Sequence, residues 1–148
     1  MDGNDIYLIE TAARGGGVFI SSDLIPISTG LNTEQFLINI ATGTQGHQPN
    51  IFSTGRVCCY IAFFLPVGDI VSIEGLQEVV EMPFTHRHSL DTLREGLQTQ
   101  SFSDKTARNF IILSADNHQQ LAERVELVRR TLRILVKTEK GLEGPICS

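Results

Sequence analysis

The residues with the densest chemical potential lie close together near the start of the chain, in "IETAARGGG", where Glu10 and Arg14 are four positions apart and Gly15, Gly16 and Gly17 follow. A hard cation such as Mg²⁺ takes carboxylate oxygen, and a guanidinium fork matches phosphoryl or carboxylate oxygens two at a time. Successive backbone N–H groups in a glycine loop form a concavity that suits an anion. Together these groups would serve a phosphorylated or carboxylate-bearing ligand. The same two side chains can instead form a surface ion pair beside an ordinary turn, and spacing alone leaves both readings open.

Three other groups of residues offer less. His86 and His88 in "THRHS" fall two apart on a predicted strand, which places them on one face at a spacing that can bind zinc or copper, but no third ligand is near in sequence. A solvated strand edge is the simpler reading of that pair. Cys58 and Cys59 are adjacent in an apolar run with no base or cation beside them, so they read as buried, inert thiols on opposite faces of a strand. Glu123, Arg124, Glu126, Arg129 and Arg130 read as the solvated face of a helix.

These groups need elements to hold them. Ile6 to Glu10 has the β-branched and aromatic content of a buried strand, which the glycine run ends. Asn32 can cap a helix with Gln35 at its third position, placing Phe36, Leu37, Ile40 and Ala41 on one face and stopping at Gly43. Gly43 to Gly55 reads as a long polar loop, a candidate lid or surface arm. Arg56 to Leu65 is nearly all apolar and suits a central strand covered on both faces. Pro66 to Asp69 is turn chemistry, so Ile70 to Ile73 is expected to return as the second strand of a hairpin. Gly75 opens a short helical piece through Val80. Phe84 to Leu90 and Asn109 to Leu113 read as further strands, joined by a polar link around Gly96. Ser114 or Asp116 is expected to cap a helix whose core stripe is Leu121, Val125, Val128 and Leu132; a strand over Leu132 to Val136 and a polar tail from Lys137 close the chain. The expected class is α+β, a mostly antiparallel sheet with two principal helices.

At 148 residues and 41% hydrophobic, the chain has the size of one domain with a core of its own. Its formal charge of −5, with no basic run longer than Arg129-Arg130, lacks the electrostatic footprint of a nucleic-acid binder. Three cysteines do not suggest a disulfide framework. No basic-then-apolar signal follows Met1, and the longest apolar run, Val57 to Val67, is too short to span a bilayer, so the expected setting is cytoplasmic, without a membrane.

The segment "YLIETAARGGGVFISSDLIPISTGLNTEQFLINIATG" resembles the closing part of the ATP-grasp ligases, in the branch of the carbamoyl-phosphate synthase large subunit, biotin carboxylase and amino-acid ligases. The likeness continues through "GRVCCYIAFFLPVGDIVSIEGLQEV" into the helix and terminal strand of that branch's small C-terminal subdomain. The resemblance implies that residues 1–54 complete an active site and residues 55–148 form the subdomain. It implies that Glu10 bridges Mg²⁺ and the ATP phosphates and that Arg14 contacts the substrate or the acyl-phosphate intermediate. Gly15, Gly16, Gly17, Ser21 and Ser22 would line the acceptor pocket. Many members carry asparagine two residues after the glutamate as a further metal ligand; this chain has Ala12, one oxygen fewer. The family's phosphate loop, its lysines over the phosphates, its adenine hinge and its earlier metal-binding glutamate all lie upstream of the matching segment, and Met1 to Asp5 has no room for them.

The resemblance therefore implies the C-terminal portion of an ATP- and Mg²⁺-dependent ligase, inactive alone, which activates a carboxylate as acyl phosphate for attack by an amine. Its partner would be the N-terminal ATP-grasp half or another chain, with self-association as a further option. A non-catalytic docking module that keeps the fold is the alternative.

Overall fold

A computed structural model of the chain describes residues 17–44, 53–100 and 107–147. The chain enters through a π-helical turn, Ile20–Leu24, that runs directly into the short helix α1, Ile25–Thr29. Helix α2, Thr33–Ala41, begins as its sequence predicts: the Asn32 side chain accepts from the Gln35 N–H at 3.0 Å. It ends at Gly43, whose φ of +69° is the left-handed value that glycine adopts at least cost.

Among the described residues, the strands form two four-stranded antiparallel sheets. In the first, β3 (Thr85–His88), β5 (Asn109–Ala115), β1 (Val57–Phe64) and β8 (Ile146–Cys147) lie side by side. The second orders β4 (Gln98–Thr99), β2 (Gly68–Glu74), β6 (Arg133–Thr138) and β7 (Gly141–Glu143). Helix α3, Leu76–Glu81, follows β2, and α4, His118–Thr131, joins β5 to β6. The class is α+β, as the pattern of elements predicts, and α2 and α4 are its longest helices.

One expectation fails at the centre. β1 and β2 do not form a hairpin, because β1 pairs with β5 and β8 while β2 pairs with β4 and β6. Pro66 has no N–H to extend a ladder, and the chain uses Leu65 to Val67 to cross from one sheet to the other. Thr99 fixes the crossing: its hydroxyl donates to the Pro66 carbonyl and accepts from the Gly68 N–H at 2.9 Å. Gly68 is required there, since a Cβ would sit 2.2 Å from the Lys137 carbonyl oxygen. The polar tail is also more ordered than its composition suggests, with β7 folding back on β6 and β8 completing the first sheet.

The core lies between the two sheets and under α4. Phe63, Leu65, Ile70, Val79, Leu90, Ile111, Leu113, Val128, Ile134 and Val136 form it, all buried. α4 lays Leu121, Val125, Val128 and Leu132 on this core, the stripe expected of it. Its cap is Asn117 rather than Ser114 or Asp116: Asn117 accepts from the Gln120 N–H at 2.9 Å, and Gln120 returns its side-chain oxygen to the Asp116 N–H. Ser114 is still inside β5, opposite Cys58, and cannot reach the helix end. Among the described residues, no helix is long and apolar enough to cross a membrane.

Candidate functional site

The two faces of the first sheet have different partners. Cys59, Ile61, Phe63, Ile111 and Leu113 point toward the core. The opposite face presents Cys58, Tyr60, Phe110 and Ser114, and the segment from Gly17 through α1 packs across it. As adjacency on a strand predicts, Cys58 and Cys59 part to opposite faces. Burial pushes both thiols up from their ordinary range, Cys59 with a further push from Cys58.

A sequence break prepares this packing. Immediately after Gly17, Val18 and Phe19 take φ values of +49° and +62°. A left-handed conformation is unusual for any side-chain-bearing residue and most costly for a β-branched one. The turn is closed by the Ile20 N–H donating to the Gly17 carbonyl at 3.2 Å. What holds it lies on the sheet. The Phe19 ring meets Phe110 at 4.7 Å, and Phe110 stacks on Tyr60 at 5.3 Å. The Arg87 guanidinium sits 4.8 Å over the Phe19 ring and its Nε lies 2.8 Å from Asp23 Oδ1. Ser22 donates its hydroxyl to the other oxygen of Asp23, and the Cys58 thiol donates to the Leu24 carbonyl at 3.4 Å.

Arg87 reaches that position because β3 carries a bulge. Thr85 pairs with Leu113 and Arg87 with the adjacent Ile112, so His86 is the extra residue. This overturns the expectation that His86 and His88 share a face. His86 joins Arg87 on the outer face, while His88, opposite Ile111, accepts from the Leu90 N–H and lies 3.6 Å from Asp91.

His86 and Arg56 converge on one hydroxyl. Ser114, fully buried, has its Oγ 2.6 Å from Arg56 Nη2 and 2.7 Å from His86 Nε2. Arg56 can only donate, so Ser114 Oγ accepts from it; when the serine proton turns to His86 Nε2, the imidazole carries its own proton on Nδ1. Burial, with the Arg56 charge as a second cause, holds the His86 pKa below its ordinary 6.5, against a smaller opposing pull from Asp23. The serine–histidine spacing would suit an activated nucleophile, but Ser114 is sealed from any substrate and acts as a hub instead. On its far side the Ser114 carbonyl accepts from Arg124 Nη1 at 2.6 Å, and that guanidinium lies 4.6 Å over the Phe84 ring. Arg124 therefore leaves the solvated face to which its charge assigns it in the sequence reading.

Of the residues singled out from sequence, Glu10, Arg14, Gly15 and Gly16 lie outside the described residues, as do the predicted strand over Ile6 to Glu10 and most of the candidate lid. Gly17, Ser21 and Ser22 lie at the head of the seam, Gly17 in its first turn and both serines in the π-helical turn. Arg56, Arg87 and Asp23 carried no local signal, and the signal of Ser114 was that of a helix cap. Their association depends on a bulge and on strands nearly sixty residues apart. Among the described residues no three of His, Cys, Asp and Glu come together to hold a metal ion. Among the described residues Asp23 is the carboxylate of the seam, and it is already occupied by Arg87 and Ser22.

No protein-family model matches the sequence, and no curated protein does. Among solved structures, the fold is similar to that of an L-amino acid ligase from Bacillus licheniformis, with a TM-score of 0.62 and 22% sequence identity. The likeness covers 89% of this chain and 33% of the ligase, so the chain spans about a third of the ligase's length. The shared architecture is α+β with antiparallel sheets, consistent with a partial ATP-grasp fold.

Proposed function

We propose that this chain supplies the C-terminal portion of an ATP- and Mg²⁺-dependent ligase that activates a carboxylate as acyl phosphate for attack by an amine. The observation that carries the reading is that most of the chain superposes on one third of an L-amino acid ligase. The "IETAARGGG" segment adds the residue types that such chemistry needs, directly before the seam. In this reading Glu10 is the metal-binding carboxylate, as the resemblance of its segment to the ATP-grasp ligases implies. Bound Mg²⁺ would neutralise phosphate charge. Arg14 steadies a phosphoryl or carboxylate oxygen, Gly15 to Gly17 bring backbone N–H groups close to it, and Ser21 and Ser22 border the acceptor. The seam's task is to hold that segment still, which is what catalysis by positioning requires. Substrates are a small carboxylic acid and an amine, in the cytoplasm, with the nucleotide bound mainly by an upstream ATP-grasp portion in the same or another chain.

The test has two arms. The 148-residue chain with ATP, Mg²⁺ and mixed amino acids releases no ADP; robust release would mean that it holds a nucleotide site of its own and would end the reading of it as a portion. When the segment is joined to an ATP-grasp nucleotide-binding portion, Glu10→Gln abolishes turnover. Undiminished turnover there would remove Glu10 from the chemistry.

A second reading is favoured by one specific observation. Leu37, Ile38 and Ile40 on α2 are 54%, 55% and 52% exposed, an apolar surface on a helix whose pattern is amphipathic. A non-catalytic module that docks through α2, onto a partner chain or onto itself, would use that surface. Sedimentation separates the two: in the module reading Leu37→Glu dissolves an assembly and Glu10→Gln does not affect it.

A further inference from the structure

The Arg56 guanidinium is exposed and, among the described residues, has no carboxylate within ion-pair distance, its one hydrogen bond there being to the neutral Ser114 hydroxyl. An arginine that donates to a neutral buried hydroxyl keeps its full charge and most of its donors for something else. Beside it, His86 is also exposed and, with Nε2 taken by Ser114, leaves its Nδ1 to donate when Ser114 donates to Nε2 or when the ring is protonated. Ser114 is the floor of this arrangement. Its Oγ ties down one nitrogen of each partner and so restrains both planes before any ligand arrives, which lowers the ordering cost of binding.

The surroundings carry the same sign. Arg87 lies next to His86 in sequence and on the same face of the bulge, and Arg124 approaches Ser114 from behind. Asp23 is the carboxylate that acts on His86, and its charge is met by Arg87 at 2.8 Å. Cys58, opposite Ser114, is held protonated by burial. Among the described residues, Arg56 and His86 thus meet at one hydroxyl, with Arg87 beside His86, Arg124 on the Ser114 carbonyl, and Asp23, already paired with Arg87, as the carboxylate that acts on His86.

The geometry points to an oxyanion-binding site on Arg56 and His86, over Ser114, that takes the phosphate or carboxylate group of a small molecule. Arg56 supplies the charge and a two-pronged fork, and His86 Nδ1 supplies a further donor. The site is built from residues other than Glu10 and Arg14 and does not depend on the ligase reading.

The test is a titration of the isotopically labelled 148-residue chain with inorganic phosphate in one arm and acetate in the other, at constant ionic strength, following the His86 ring signals by NMR. A saturable shift in either arm is expected, and the arm that shows it names the oxyanion. With the anion bound, the His86 titration midpoint rises by about one unit, since a nearby negative charge favours the imidazolium. Arg56→Gln, at an exposed position, removes both effects, while Arg129→Ala, on the exposed face of α4, leaves them. A shift that grows without saturating in both arms, or one that survives unchanged in Arg56→Gln, would overturn the site. Loss of ligase activity in a Glu10 or Arg14 variant has no bearing on it.

Discussion

Arg87 and Asp23 face each other at 2.8 Å across the seam, the first on a bulged edge strand and the second in the π-helical turn that follows the glycine run. The Asp23 side chain is only 12% exposed, so its charge relies on the pair more than a surface carboxylate would. Arg87→Ala leaves that charge partly buried and also removes the guanidinium from the Phe19 ring. The expected loss is about 1–2 kcal/mol in urea unfolding. Asp23→Asn relieves part of it, and a double-mutant cycle should give a coupling of about 1 kcal/mol. Amide exchange over residues 19–28 should rise selectively in Arg87→Ala; a uniform rise across the chain would mean that the pair does not anchor this segment in particular.

Acid should loosen the same region through His86. Its pKa is lowered in the fold by burial and by Arg56, so the unfolded chain binds the proton more readily. Stability from this residue is therefore complete above 6.5, the ordinary value, and is lost as pH falls below it through the depressed folded pKa. His86→Gln should flatten the pH dependence of the unfolding free energy in that window. Equal slopes in both proteins would show that the imidazole does not report on this junction.

Gly75 is a position where only glycine fits. Its φ is +70°, and a Cβ there would lie 2.1 Å from the Thr131 carbonyl oxygen at the end of α4. The clash is with backbone, so relief requires α3 and α4 to separate. Gly75→Ala should cost on the order of 3 kcal/mol or more in chemical denaturation, against a gain of a few tenths for a permissive glycine. A loss under about 1 kcal/mol would mean that the two helices are more loosely joined than the structure has them.

What could be read from sequence was whatever depends on neighbours in the chain. β1 and β5 announce themselves by continuous apolar runs, α2 by the Asn32 cap, and α4 by its Leu121 to Leu132 stripe. Gly75 was legible as a helix start, because its requirement is a local backbone angle. The division into two sheets was not, since Pro66 to Gly68 has the same composition whether the chain doubles back or crosses over; Thr99, over thirty residues on, decides. The site divides in the same way. Gly17 and Ser22 stand in a conspicuous segment, whereas the positions of His86 and Arg87 turn on a bulge that no residue type signals. Ser114 looked like a helix cap because serine is a good one, and its real role follows from strand register.

Arg124 and Arg129 lie five residues apart on α4 and would be scored alike by composition, yet their surroundings predict different costs. Arg124 donates to the Ser114 carbonyl at 2.6 Å and covers the Phe84 ring, so it supports the floor of the oxyanion site from the core side. Arg129 is exposed and its partner Glu126, at 3.0 Å, is equally exposed. Arg124→Ala should therefore lose about 1.5–3 kcal/mol, through a charge-assisted hydrogen bond to a buried carbonyl and a ring contact. Arg129→Ala should remain within about 0.5 kcal/mol of the parent. Thermal unfolding of the two variants side by side checks this, and comparable losses would put Arg124 back on the solvated face of the helix.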